Sequence, residues 1–200
     1  MSRIGIFSGV FDPVHDGHIK FALAAAQQAK LDEVYFLLEV QPRRKTGVTH
    51  LAHRLAMIKL AIAKYPNLKL LDLPDRQLSV AKTLPRLKQK FKKDELFYLA
   101  GADMLEHMPG WPLINKLFET MNLVIGLRQA DSRSAVDNMI SELATSNPIV
   151  FKSPRPKLSS AMIRQTLLSG KVAKGLDPEV LDYIKANWLY ASPSNSNSAS

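Results

Sequence analysis

Two imidazoles sit three residues apart near the amino terminus. His15 and His18 lie in "SGVFDPVHDGHIKF" (8–21), with Gly9 before them and Gly17 between them. Gly9 permits a tight turn or a close backbone approach. Asp12-Pro13 signals a turn, and Gly17 and His18 fall where an alanine-rich helix begins. A helix amino terminus carries free N–H groups and partial positive charge, which suits phosphate. Imidazoles beside it can donate hydrogen bonds to oxygens that gain charge during phosphoryl or nucleotidyl transfer. On residue types alone, two other readings stay open: polar surface residues, or metal ligands with Asp12 or Asp16. Zinc usually takes three or four protein ligands, and none of these residues is assigned to a metal.

A second polar constellation stands about 140 residues later, in "LSSAMIR" (158–164). Ser159 and Ser160 sit at a helix start, with Arg164 one turn on. Helix capping and phosphate binding both fit these serines and are compatible. Between the two lie Lys45, with Arg43 and Arg44, then Gly101, Asp103 and Trp111 in "LAGADMLEHMPGW" (99–111). By residue type alone Lys45 is a solvated basic loop, Asp103 a cap and Trp111 a packed loop aromatic.

The elements that must position these groups alternate. Strands are expected at 3–8, 33–39, 68–73, 95–101, 122–127 and 148–152. Helices are expected at 18–30, 49–65, within 79–93, at 112–120, 132–144 and about 160–169, and from Asp177-Pro178 onward. Pro85 means that the helix within 79–93 starts near Thr83 or kinks. The fold class is α/β: a doubly wound, mostly parallel, Rossmann-like sheet with a small C-terminal helical segment from about 159. Residues 1–190 form one domain, and the low-complexity tail 191–200 is expected to be disordered. Ligands in such sheets gather at the carboxyl ends of the strands.

Composition narrows the chemistry. The 200 residues contain no cysteine, which removes disulfides, thiol nucleophiles and cysteine-based zinc sites. No apolar run approaches a membrane span, and the first residues look like a strand rather than a signal peptide. A cytoplasmic location is the expectation. Lys and Arg outnumber Asp and Glu 27 to 18, a formal +9, and that field attracts anions. Charge alone does not choose between nucleotides, nucleic acid and phosphorylated metabolites.

"GVFDPVHDGH" (9–18) resembles the G-x-F-D-P-x-H-x-G-H signature of nucleotidyltransferases related to class I aminoacyl-tRNA synthetases. "LSSAMIR" resembles their second signature, I-S-S-T-x-I-R. Within that superfamily, "HRLAMIKLAI" (53–62), "LAGADMLEHMPGW" and "SGKVAKGLDPEVLDYIKANWLY" (169–190) resemble bacterial nicotinate-mononucleotide adenylyltransferases.

The resemblance implies in-line transfer of AMP from ATP to the phosphate of nicotinate mononucleotide, giving deamido-NAD and pyrophosphate. It implies catalytic roles for His15, His18 and Arg164. It implies nucleotide contacts for Gly9, Val10, Phe11, Gly17, Gly101, Asp103, Ser159 and Ser160, and acceptor contacts for Lys45 and Trp111. Mg²⁺ would be held mainly by ATP phosphates. ATP and a mononucleotide are the implied partners; no membrane is expected, nucleic acid is not the expected ligand, and homo-oligomerisation stays open. The chain departs from the pattern at Ser8 and Val10 (Ser8-Gly9-Val10 replaces Gly-Gly-Thr/Ser), at Arg44, Val80, Lys82, Ile114 and Ala161, and in "LRQAD" (127–131), which lacks R-P-G. Alternative readings are an adenylyl- or cytidylyltransferase with another phosphorylated acceptor (nicotinamide mononucleotide, phosphopantetheine or an alcohol phosphate), and a nucleotide- or nucleic-acid-binding module without turnover.

Overall fold

The computed structural model describes residues 1–191 apart from 41–46, 74, 76, 77, 129, 130, 144, 146 and 155–157. Apolar strand runs are bounded by turn residues and separated by helical periodicity. They form β1 (Arg3–Gly9), β2 (Glu33–Leu38), β3 (Leu68–Leu71), β4 (Glu95–Gly101), β5 (Met121–Leu127) and β6 (Ile149–Lys152). All pair in parallel, in the order β3-β2-β1-β4-β5-β6. The order reverses between β1 and β4, so the crevice beyond their carboxyl ends is the topological switch point.

Among the described residues seven α-helices cover the sheet: α1 (Asp16–Gln28), α2 (Leu51–Ile62), α3 (Thr83–Lys90), α4 (Ile114–Phe118), α5 (Arg133–Ser141), α6 (Ser160–Leu168) and α7 (Pro178–Ala186). Because side chains alternate along a strand, each face of the sheet carries its own core. Val34, Phe36, Phe97, Leu99 and Val124 pack under Ala22 and Ala25 of α1, Met57 and Ile58 of α2, and Val180 and Ile184 of α7. Ile4, Ile6, Tyr98, Leu123 and Ile125 pack under Leu84 and Leu87 of α3, Leu117 of α4 and Val136 of α5. A Cβ at Gly126 would lie 2.4 Å from the Phe21 ring. That missing side chain lets α1, the helix behind the two histidines, seat against β5.

The doubly wound parallel sheet expected from the sequence is present. Differences are local. The third strand ends at Leu71 rather than 73, and α1 begins at Asp16, two residues early. The 79–93 pattern becomes α3 starting at Thr83, with Pro85 in the first turn, where its missing N–H has no helical acceptor to lose. A 3₁₀ segment, Ala102–Gly110, follows β4 directly and is not among the expected elements. Its buried Ala102, Leu105 and Met108 repeat every three residues, too short a stretch to register as a helical stripe.

Candidate active site

The chain leaves β1 at the switch point and reverses before α1. Phe11 has φ 48°, the left-handed region that non-glycine residues seldom adopt. Its ring is buried against Phe7, Phe36 and, edge-on at 5.0 Å, His18. A Cβ at Gly9 would stand 2.9 Å from that ring. The close approach that the glycine permits is thus made by Phe11. This aromatic packing holds the strained residue in place.

His15 is the N-cap of α1 and is 2% exposed; His18 is the third residue of the helix. The two imidazoles stack with centroids 3.7 Å apart and planes inclined by 25°. The His15 amide donates to Nδ1 of His18 at 3.2 Å. An accepting Nδ1 places the proton of neutral His18 on Nε2. Gly17 is buried between them in the helix's first turn.

The second signature grips the first. Arg164 of α6 donates to the Asp12 carbonyl at 2.7 Å, and the Ser160 hydroxyl donates to the Pro13 carbonyl at 2.9 Å. Ser159 caps α6, accepting from the Met162 amide at 3.2 Å. Beyond α6, the Gly175 carbonyl takes the Asp16 amide at 2.9 Å. The Tyr190 hydroxyl donates to Asp12 Oδ1 at 2.6 Å. Asp12 is 4% exposed, and its Oδ2 accepts from the Thr49 amide at 3.2 Å. Its carboxylate therefore anchors protein segments, and no three His, Asp or Glu side chains among the described residues converge as a metal cage.

One organising residue escaped the sequence reading. Arg54 is 2% exposed and shares the buried face of α2 with Met57, Ile58, Ala61 and Ile62. Its guanidinium donates to four main-chain carbonyls: Thr49 at 2.7 Å, Glu39 at 2.7 Å, Val10 at 3.0 Å and Val40 at 3.0 Å. The ends of β1 and β2 and the approach to α2 are thereby tied to one cation. The sequence signal was an arginine on an apolar helical face. Burial lowers its pKa, offset only in part by the nearby Asp12; an arginine stays charged regardless.

The remaining expected residues divide. Val10 takes part through its carbonyl, held by Arg54. Gly101 ends β4 and caps the 3₁₀ segment. Asp103 pairs with Arg128, at the end of β5, at 2.6 Å, and both are about half exposed. Trp111 meets Tyr98 edge-on with centroids 6.0 Å apart, and the Tyr98 hydroxyl bonds Ser8 Oγ at 2.9 Å. Trp111, Tyr98 and Ser8 thus form a chain of contacts across β4 and β1. Lys45 lies outside the described residues. His53, read as structural, bonds the Tyr183 hydroxyl at 2.9 Å, and His50 caps α2.

A parallel sheet with stacked histidines at its switch-point helix, locked by a second polar segment, defines a nucleotidyltransferase-type α/β protein. Residues 6–166 match the cytidylyltransferase-like family model. Nicotinate-nucleotide adenylyltransferase from Bacillus subtilis (strain 168) is 36% identical over 202 residues, covering 96% of this chain and 100% of that one. A "Probable nicotinate-nucleotide adenylyltransferase" from Carboxydothermus hydrogenoformans is 35% identical, over 94% and 98%. The chain belongs to the nicotinate-nucleotide adenylyltransferase family. Its fold matches the Plasmodium falciparum nicotinic acid mononucleotide adenylyltransferase complexed with NaAD, at a TM-score of 0.80 and 18% identity, over 95% of this chain and 98% of that chain.

Proposed function

We infer that the protein transfers AMP from ATP to the phosphate of nicotinate mononucleotide, forming deamido-NAD and pyrophosphate in NAD biosynthesis. The observation that carries this reading is the lock between the two signature segments: Arg164 and Ser160 hold the Asp12 and Pro13 carbonyls beside the stacked His15 and His18. Family membership supplies the acceptor. In the reaction a phosphate oxygen of the acceptor attacks the α-phosphorus of ATP. A new P–O bond forms as the bond to the bridging oxygen of pyrophosphate breaks.

The protein's part is positioning and charge stabilisation. The α1 amino terminus faces the phosphates, and His18 Nε2–H donates to oxygens that gain negative charge. Gly9, Phe11 and Gly17 shape the turn, Ser159 and Ser160 set the start of α6, and Trp111 serves the acceptor side; for Lys45 the acceptor role rests on the sequence resemblance alone. With Asp12 bonded to Tyr190 and Asp103 to Arg128, these carboxylates are already engaged, which fits a Mg²⁺ ion that would be held mainly by the ATP phosphates and would neutralise their charge. A cytoplasmic location belongs to the same proposal.

The test is pyrophosphate release from MgATP with nicotinate mononucleotide, nicotinamide mononucleotide, phosphopantetheine and glycerol phosphate in parallel, repeated with CTP. Deamido-NAD formation at the highest kcat/KM of the set is expected. Preference for any other acceptor, or for CTP, overturns the substrate assignment.

A further inference from the structure

We propose that Tyr190 is a positioning residue for adenylyl transfer, acting through the Asp12 carboxylate to fix the turn that presents His15 and His18. The proposal rests on the transfer reaction inferred above.

The contact joins residues 178 positions apart at 2.6 Å. Asp12 is held from three directions. Tyr190 donates to Oδ1, the Thr49 amide to Oδ2, and Arg164 to the main-chain carbonyl. A buried carboxyl group needs hydrogen-bond partners to offset its loss of water. Without the Tyr190 hydroxyl, Oδ1 loses its short donor, and the residue that opens the turn loses one of its three tethers. Three positions further on stands His15, whose amide sets the Nδ1 acceptor of His18. Displacement at Asp12 is therefore passed directly to the imidazole pair.

Two observations show that the hydroxyl is placed rather than incidental. Tyr190 has φ 57° and Trp188, two residues earlier, has φ 53°. The chain after α7 thus takes two left-handed residues to bring the phenol inward, while the Trp188 ring remains 60% exposed. Burial, with the Asp12 contact second, raises the Tyr190 pKa, so the phenol stays protonated and donating.

The competing reading is that Tyr190 only fastens α7 to the body. Tyr183 provides the control. Its hydroxyl fastens α7 to α2 through His53 at 2.9 Å, and among the described residues none of its hydrogen bonds reaches the turn. Tyr190→Phe and Tyr183→Phe in the full chain each remove one hydroxyl from the same C-terminal segment.

Steady-state kinetics with MgATP and nicotinate mononucleotide is expected to show kcat about tenfold lower in Tyr190→Phe, with both KM values within about twofold of wild type. Tyr183→Phe is expected to keep kcat within about twofold while losing a similar few degrees of Tm. In ¹⁵N-labelled protein, the His18 ring signals should move in Tyr190→Phe and stay in Tyr183→Phe. Equal kcat losses in the two variants, or an unchanged kcat in Tyr190→Phe, overturn the proposal. If wild type transfers AMP to no acceptor, the inferred reaction fails on its own account. The His18 signals then decide: movement in Tyr190→Phe alone upholds the coupling, and no movement overturns it.

Discussion

Arg164 and the Asp12 carbonyl meet at 2.7 Å although 152 residues separate them. The guanidinium that the second signature contributes is bonded to the backbone of the first. Arg164 thus builds the turn that carries the histidines. This construction role is compatible with phosphate contact through its remaining N–H groups, since guanidinium has five.

Arg164→Lys preserves charge and removes the planar fork. A hydrogen bond from a charged donor contributes about 1.5–3 kcal/mol. We expect kcat/KM to fall at least about tenfold while the far-ultraviolet circular dichroism spectrum is unchanged. Steady-state kinetics beside that spectrum checks it; full activity in Arg164→Lys would show that the fork is dispensable.

His18→Ala removes the Nε2–H donor. Loss of one transition-state donor typically costs about 10²–10³ in kcat. Pyrophosphate release under saturating MgATP measures this, and a drop confined to KM would assign His18 to ground-state binding instead.

Arg54→Met leaves the carbonyls of Val10, Glu39, Val40 and Thr49 without their shared donor. Breaking a buried charged network is expected to cost about 3–5 kcal/mol. Urea denaturation followed by tryptophan fluorescence reads the loss directly. An unaltered midpoint would mean that water or a neighbouring donor replaces the guanidinium.

Ser8→Gly brings the segment closer to the signature it resembles and strips the buried Tyr98 phenol of its Ser8 partner. An unsatisfied buried hydroxyl costs about 1–3 kcal/mol. Because Tyr98 abuts Trp111, KM for the mononucleotide should change more than KM for ATP. Equal shifts in both values would place Ser8 outside the acceptor side.

Burial, helped by the Glu33 hydrogen bond, raises Tyr35 to about 12. The unfolded chain ionises this phenol near its ordinary value of 10.0, so the folded state binds the proton more tightly. That stabilisation is complete below about pH 10 and is lost as the pH rises towards about 12. Tyr35→Phe should flatten the decline in stability over this alkaline window, as followed by chemical denaturation at each pH. An identical decline in the variant would assign it to other groups, with buried Tyr98 and Tyr190 the next to replace.

The sequence by itself determined the class of fold and where the candidate site begins. Strand and helix periods are local, so alternation of apolar runs and amphipathic stripes was enough to give a doubly wound sheet. Gly9, His15, Gly17 and His18 are clustered within ten residues, so their meeting at the start of α1 also follows from local geometry. Ser159, Asp177 and His50 cap the helices they precede for the same reason.

Only the tertiary structure decided what lies between these groups. Ser160 and Arg164 turn onto the Pro13 and Asp12 carbonyls, and main-chain acceptors leave no trace in a residue pattern. Gly9 yields to the Phe11 ring, a contact set by side-chain packing. Arg54 looked like one more basic residue on α2 until its four carbonyl partners came together from three segments. Tyr190 reaches Asp12 across nearly the whole chain. Each of these contacts depends on distance in space between residues far apart in order, and that distance exists only once both sheet faces are packed.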